Sequence, residues 1–386
     1  MVPKLRFKEF CGEWEEKRLG NYVHLKNGLN VDKDKFGQGI PLISVMDILN
    51  NNFIVFNNIK GKVDIDSETL KNYSVTYGDI LFQRSSETRE DAGKSNVYLD
   101  KEKVSTFGGF VIRGKKIGIY NPVFMNSLLK TSNVRKEITS KAQGAQHINI
   151  SQESLEKVNI TLPSLPEQTK IADFLSTVDD KIQNQQDKVA HLENIKKGFM
   201  QKIFSRKIRF KDDGGEEFPE WEEKKLGDCL HYEQPSKYIV KSEKYNINYD
   251  TPVLTANKAF ILGYTNEKDG VYDKGEVIIY DDFTMDMKFV DFKFKVKSSA
   301  IKLLTQKNTV LYFMYCYLKN LNLSQEEHRR SYISQIEPMK IKLPCLKEQQ
   351  KIADFLSSFD QKISTEKEIL EHLKQLKKGL LQQMFV

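Results

Sequence analysis

Two mixed α/β domains joined by two long helices, related by a pseudo-two-fold internal repeat, are what this 386-residue sequence predicts, and three observations carry that expectation. The chain is written twice. Each copy ends in some 38 residues whose apolar positions recur at alternating spacings of three and four. The large segments between hold period-two strand patterns followed by helical ones.

The repeat organises everything else. EQTKIADFLSTVDDKI, starting at Glu167, returns as EQQKIADFLSSFDQKI, starting at Glu348; residues 167–204 and 348–385 match without a gap at 19 of 38 positions. A second echo has a different offset: GEWEEKRLG at Gly12 and PEWEEKKLG at Pro219, with RFK at Arg6 and at Arg209. The chain therefore divides into a first domain (1–163), a helical spacer (164–206), a second domain (207–343) and a second spacer (344–386). The domains share only landmarks, GDILF at Gly78 against GEVII at Gly275 and NITLP at Asn159 against KIKLP at Lys340.

The spacers read as coiled-coil helices. In the first, the seam is Ile171, Leu175, Val178, Ile182, Val189, Leu192, Phe199 and Ile203, interrupted at Gln185 and Lys196. In the second it is Ile352, Leu356, Phe359, Ile363, Leu370, Leu373, Leu380 and Met384, interrupted at the matching Glu366 and Lys377. So narrow a seam needs a partner, and the other copy is the obvious one. Pro163 and Pro344 sit before the helices, where proline is tolerated. A helix of 38 residues spans about 57 Å. Within the domains, YSVTYGDILFQ from Tyr73 and GEVIIY from Gly275 predict strands, and NPVFMNSLLKTSNVRKEITSK from Asn121 and NTVLYFMYCYLKN from Asn308 predict helices.

Composition limits the function. With 39% hydrophobic and 29% charged residues, no apolar run long enough for a bilayer and a charged start, a cytoplasmic protein without membrane association is expected. Of the net charge of +7, +5 falls in residues 1–166 and +2 in residues 205–347, leaving residues 167–204 and 348–386 neutral. Cys11, Cys229, Cys316 and Cys345 lack the close spacing of zinc or redox motifs, so reduced, mostly buried thiols and no metal are expected. DAGKS at Asp91 ends like a phosphate loop, yet Thr88 stands where the opening glycine belongs. FGGF at Phe107 reads as a bulge or a close strand approach. No catalytic residues are identified: amino-methyltransferase strings such as NPPY, a nuclease cluster and HExxH are all missing.

Binding is the reading that remains, and slightly basic domains with Arg, Lys, Asn, Gln and Ser in their loops suit duplex DNA. The first-domain candidates are Lys26, Asn27, Asn30, Lys33, Arg84, Ser85, Ser86, Arg89, Lys94, Asn96, Gln143, Gln146 and His147. Those of the second are Thr255, Asn257, Lys258, Asp281, Asp282, Lys288, Arg329, Arg330 and Tyr332.

RFKEFCGEWEEKRLG, its echo at Arg209, the two LPSLPEQTKIADFLS and LPCLKEQQKIADFLS spacers and GDIL make the chain resemble, over essentially its full length, the specificity subunits of bacterial type I restriction-modification systems. The resemblance implies two target recognition domains reading separate halves of a bipartite, asymmetric double-stranded DNA site, and an antiparallel coiled coil that fixes the unread gap. It implies two methyltransferase subunits docked on the helices and two restriction/translocase subunits in the assembled complex, which methylates adenine N6 and cuts DNA with ATP. S-adenosylmethionine, ATP and Mg would belong to those partners, with no cofactor in this chain. Half-sites on one face of B-DNA repeat about every 34 to 36 Å, within reach of the spacer. Three other readings stay open: an activity within this chain, a recognition subunit serving methylation alone, and a scaffold whose domains never touch DNA.

Overall fold

The computed structural model describes residues 2–255, 260–321, 323 and 332–386, and these form two compact units. One comprises Met1–Gln185 with Ile369–Val386, the other Gln186–Glu368. Each long helix, Leu165–Phe204 and Leu346–Met384, therefore contributes to both.

The first unit is built on a four-stranded antiparallel sheet in the order Val23–Asn27, Val111–Lys116, Ile80–Gln83, Ser95–Val97. A three-stranded sheet adds Lys62–Val63, Phe36–Ile43 and Thr106–Phe107. The strand expected from Tyr73 begins only at Ile80, because Gly78 (φ +88°) turns the chain first; Asp79 fixes that turn by accepting from the Thr76 and Lys116 amides, both at 2.9 Å. The helical stretch from Asn121 is two helices, Pro122–Leu128 and Ser132–Ser140; Asn121 caps the first through the Val123 and Phe124 amides.

The second unit repeats this plan in sequence that shows little of it. Its four-stranded sheet runs Leu230–Glu233, Ile301–Gln306, Val277–Asp281, Met287–Val290, with the same connectivity and sense. Its three-stranded sheet is Ile261–Thr265, Thr251–Leu254 and Lys295–Val296, and Leu311–Asn320 packs against the main sheet. Buried aromatics, among them Phe313, Tyr280 and Tyr332, fill its core.

The repeated motifs assemble a frame that is the same in each unit. The strand of the tryptophan motif pairs antiparallel with the strand leading into the helix: Glu15–Arg18 with Asn159–Leu162, and Glu222–Lys225 with Lys340–Leu343. In the helix's first turn Glu167, 1% exposed, takes both arms of Arg6 at 2.7 and 2.8 Å and the Trp14 indole at 3.3 Å. Glu348, fully buried, takes Arg209 at 3.3 and 2.9 Å and Trp221 at 3.2 Å. The glutamine that follows ties in the domain: Gln168 accepts from the Asn121 amide at 3.0 Å and donates to the Pro163 carbonyl, as Gln349 does with Val310 and Pro344. Asn121 and Val310 are the N-caps of their domains' helices, so the EQ pair joins three elements at one point.

Both units also contain antiparallel pairing of the long helices. Lys377 pairs with Asp179 in the first unit and Lys196 with Asp360 in the second; each residue lies 181 positions from its counterpart, so these are one ion pair made twice. Lys188–Glu366 and Lys367–Glu193, both 2.7 Å, continue the ladder in the second unit. Three of the four seam interruptions, Lys196, Glu366 and Lys377, are therefore charges bridging the two helices. Ile171, Leu175, Val178, Ile182 and Val189 are buried along one helix and Ile352, Leu356 and Ile363 along the other. Leu192, Phe199, Phe359, Leu370, Leu373 and Leu380 are half-buried, with Phe199 edge-on to Phe355 at 5.1 Å.

Removing one partner of a buried ion pair strands the other, at about 3 to 5 kcal/mol. Glu348→Ala is expected to destabilise Gln186–Glu368 by about 3 kcal/mol, the low end because Arg209 keeps some solvent contact. Glu167→Ala should act on the first unit instead. Segment-resolved amide hydrogen exchange checks this, and uniform loosening of both units by either variant would contradict it.

Candidate nucleic-acid interface

Candidate residues from three separate stretches of the sequence, Asn27, Arg84 and Gln143, line one cleft of the first unit. Strand Ile80–Gln83 continues into Arg84, and Ser85–Ser86 pairs antiparallel with Ile148–Asn149. The Ile150 amide donates to the Arg84 carbonyl at 3.0 Å, and Gln143 and Asn149 exchange backbone hydrogen bonds at 2.9 and 2.7 Å. Gly144 (φ +126°) closes the KAQGAQH turn so tightly that a Cβ there would lie 2.0 Å from the His147 carbonyl oxygen. The outcome is a cleft of about 720 Å³ lined by Asn27, Arg84, Lys141, Gln143, Asn149 and Gln152, among others.

Its lining is mostly polar, with hydrogen-bonding side chains and cations set beside the carboxylates of Glu153 and Glu156. Arg84 offers a planar donor fork, and Asn27, Gln143, Asn149 and Gln152 each carry a donor and an acceptor. Asn149 accepts from the Ser85 hydroxyl, and its amide donates to the His147 carbonyl at 3.1 Å. Asn149 and Gln152 were not singled out in the sequence because HINIS, from His147, alternates polar with apolar residues as any edge strand does, and the polar QES run that follows looks like an ordinary solvated turn. Only the pairing with Ser85–Ser86 shows which way they face.

Other candidates stand elsewhere. The Arg89 guanidinium donates to the Thr139 and Ala142 carbonyls, and Lys94 pairs with Asp91 at 2.5 Å. The DAGKS stretch belongs to a turn whose carbonyls are taken by Arg135, which donates to those of Glu90, Ala92 and Gly93. Lys26 lies 4.0 Å over the Tyr73 ring and donates to the Asn72 carbonyl. Lys33, Asn30, Gln146 and His147 are exposed.

Burial moves five expected contacts into the interior. Asn96 is fully buried, its amide donating to the Ile48 and Asn51 carbonyls at 3.1 and 2.7 Å, and Ser86 donates to Thr88. In the second unit Asp281 accepts from the Phe283 and Thr284 amides. Asp282 accepts from the Tyr332 amide at 2.9 Å and faces buried Lys302 at 3.7 Å. Tyr332, 1% exposed, stacks on Tyr232 at 5.2 Å, and burial pushes its hydroxyl pKa well up. These groups hold loops in place. Thr255 and Lys288 are half-buried, while Asn257, Lys258, Arg329 and Arg330 fall outside the described residues.

Among the described residues no group of three or more His, Cys, Asp or Glu is arranged to hold a metal ion, and no helix is long and apolar enough to cross a membrane. Of the four free cysteines, Cys229 and Cys316 are buried; Cys11 and Cys345 are exposed, against the expectation of mostly buried thiols, because each lies in an irregular surface segment just before an element of the frame.

The model of the type I restriction modification DNA specificity domain matches residues 12–194 and again residues 219–375. The chain belongs to this type I DNA specificity family. Its two matched stretches are two specificity domains in one polypeptide, so sequence recognition is divided between them. It is similar to the EcoR124I/EcoR124II specificity subunit of Escherichia coli, 48% identical over 127 residues, which is 31% of each chain. It is also similar in fold to the S subunit of M. genitalium, with a TM-score of 0.61, 16% identity and 100% and 99% of the two chains covered. A chain from a structure on complex assembly and conformational transition of the type I restriction-modification system superposes with a TM-score of 0.52 at 16% identity over 98% of each.

For a specificity domain, the difference between a reader and a brace is testable. Asn96→Ala orphans the buried Ile48 carbonyl and the part-buried Asn51 carbonyl and is expected to cost about 1 to 3 kcal/mol of stability while leaving the DNA sequence selected unchanged. Chemical denaturation and selection from a random duplex pool check the two halves; a changed sequence preference would make Asn96 a reader after all.

Proposed function

We propose that this chain is the non-catalytic reader of a type I restriction-modification complex, each unit recognising one half of a bipartite, asymmetric site in double-stranded DNA. The observation that carries the proposal is two units of one topology, held by one repeated frame, whose loops carry different chemistry at equivalent positions. Equal units would suit a palindrome; unequal ones suit an asymmetric target. The antiparallel helices act as the ruler for the unread gap. Exposed Leu165 and Phe174 on the first helix and Ile369 and Leu376 on the second offer apolar ground for two methyltransferase subunits. Two ATP-dependent restriction subunits complete the assembly, which supplies S-adenosylmethionine, ATP and Mg and acts in the bacterial cytoplasm, where the DNA is.

The proposal makes separable predictions. Exchanging residues 1–163 for those of a relative is expected to change one half of the methylated sequence and leave the other intact. Adding seven residues to each long helix, about 10 Å of rise, should lengthen the gap and alter neither half. Methylated-adenine mapping of genomic DNA checks both, and a change in both halves after the first exchange would break the modular reading. The purified chain with DNA, Mg and S-adenosylmethionine should neither cut nor methylate; either product would place an activity in the chain itself.

A further inference from the structure

The FGGF stretch packs closely, as expected for such glycines, but the loop it forms does something else as well. Gly28 and Gly108 approach so closely that a Cβ on Gly28 would fall 2.0 Å from the Gly108 carbonyl oxygen. The Gly108 amide donates to Ile43, the Leu29 amide to Phe107, and the Arg84 amide to the Phe110 carbonyl at 2.9 Å. One strand and the segments just past two others thus pin the loop, and its last residue, Phe110, is held 71% exposed.

A phenyl ring so exposed costs solubility and adds nothing to the core. Phe110 is not alone: Met46, 61% exposed, and Phe36, 48% exposed, stand with it around an apolar groove of about 540 Å³ floored by Leu29, Leu42 and Val111. The groove meets the polar cleft at adjacent residues, since Ser85 lines the groove and Arg84 the cleft. Apolar and cationic groups are therefore neighbours on the domain that holds +5 of the chain's charge. The second unit provides the contrast. Asp282 and Ala300 occupy the places of Arg84 and Phe110, joined by the same backbone hydrogen bond at 3.0 Å. One fold position carries a cation and an aromatic in one domain, and a buried carboxylate and a methyl in the other.

We propose that Phe110 is a specificity-determining residue of the first domain, its ring entering duplex DNA at a base step of the first half-site with Arg84 beside it on the base edges or backbone. The inference rests on the DNA-reading function proposed above. DNA is the fitting occupant because its polyanionic backbone matches a domain with net charge +5, whose cleft sets Arg84, Lys141 and Lys157 against Glu153 and Glu156, while its unstacked bases offer the apolar face the groove lacks. A wedge selects sequence through the cost of unstacking, so the first half-site should contain an easily opened pyrimidine–purine step.

The test uses the full chain and a random-sequence duplex library, with bound DNA sequenced for wild type, Phe110→Ala and Phe110→Trp. The wild type should select a split motif. Phe110→Ala should weaken binding to that motif about 5- to 150-fold, the equivalent of about 1 to 3 kcal/mol for a base–aromatic stack, and relax one half only. Phe110→Trp should restore it, and all three should melt at the same temperature, as expected for an exposed side chain. Duplexes carrying 2-aminopurine at the step should brighten on binding wild type and not Phe110→Ala. An unchanged motif and affinity in Phe110→Ala, equal weakening of both halves, or no brightening would each overturn the wedge. A wild-type chain that selects no sequence at all would overturn the reading of DNA on which the wedge rests, an outcome recognisably different from the others.

Discussion

A carboxylate buried at the start of each long helix is the point on which this chain depends. Glu167 and Glu348 sit in the first helical turn, where the backbone dipole favours a negative charge, and each is neutralised by an arginine and an indole N–H arriving from more than a hundred residues earlier in the sequence. A carboxylate removed from water is tolerable only with such partners. The interaction therefore acts as an address: it is satisfied when the tryptophan motif, the strand before the helix and the helix itself are together, and in no other arrangement.

This explains why two short motifs with different offsets were both retained. The offset of 181 belongs to the helices and that of 207 to the tryptophan motifs, and the difference is absorbed by the domains between them. Whatever is inserted after Trp14 or Trp221 is closed off by the same strand pair and the same clamp. Gln168 and Gln349 extend the closure into each domain by accepting from the amide at the N-cap of its helix. The frame asks only that a domain present a backbone N–H there, which any non-proline residue supplies, so the frame constrains the fold of a domain far more than its sequence.

Much of that frame was legible in the sequence. The helices followed from seam residues such as Leu175 and Leu356, and the paired strands from the matched NITLP and KIKLP runs. The clamp was not legible, because Arg6 and Glu167 carry no local pattern that joins them across 161 positions. Nor was the shared topology of the two domains: Ile80–Gln83 and Val277–Asp281 hold the same place in their sheets, but β-sheet interiors accept many apolar residues and preserve register rather than identity. At the candidate interface Asn27, Arg84 and Gln143 were reachable as polar loop residues and do share a cleft. Asn96, Asp282 and Tyr332 looked the same in one dimension and are core braces in three. Polar character says that a side chain must be satisfied; only the fold says whether water, a backbone carbonyl or a ligand does it.

The separation of brace from reader has a physical basis that the two units make visible. Where Arg84 leaves its strand in the first unit, its guanidinium reaches the Gly109 carbonyl at 3.4 Å and remains half-exposed at the rim of the cleft. At the same step of the second unit Asp282 turns inward to Lys302 and to the Tyr332 amide. Both solutions satisfy the strand end, and the backbone bond across to residue 110 or 300 is unchanged. A buried pair removes that position from contact with solvent, so recognition by the second domain must come from other loops. Divergence between the domains is then more than a change of letters at fixed contact points: the set of positions able to make contact itself differs, as expected if each half of a split target is read by its own geometry.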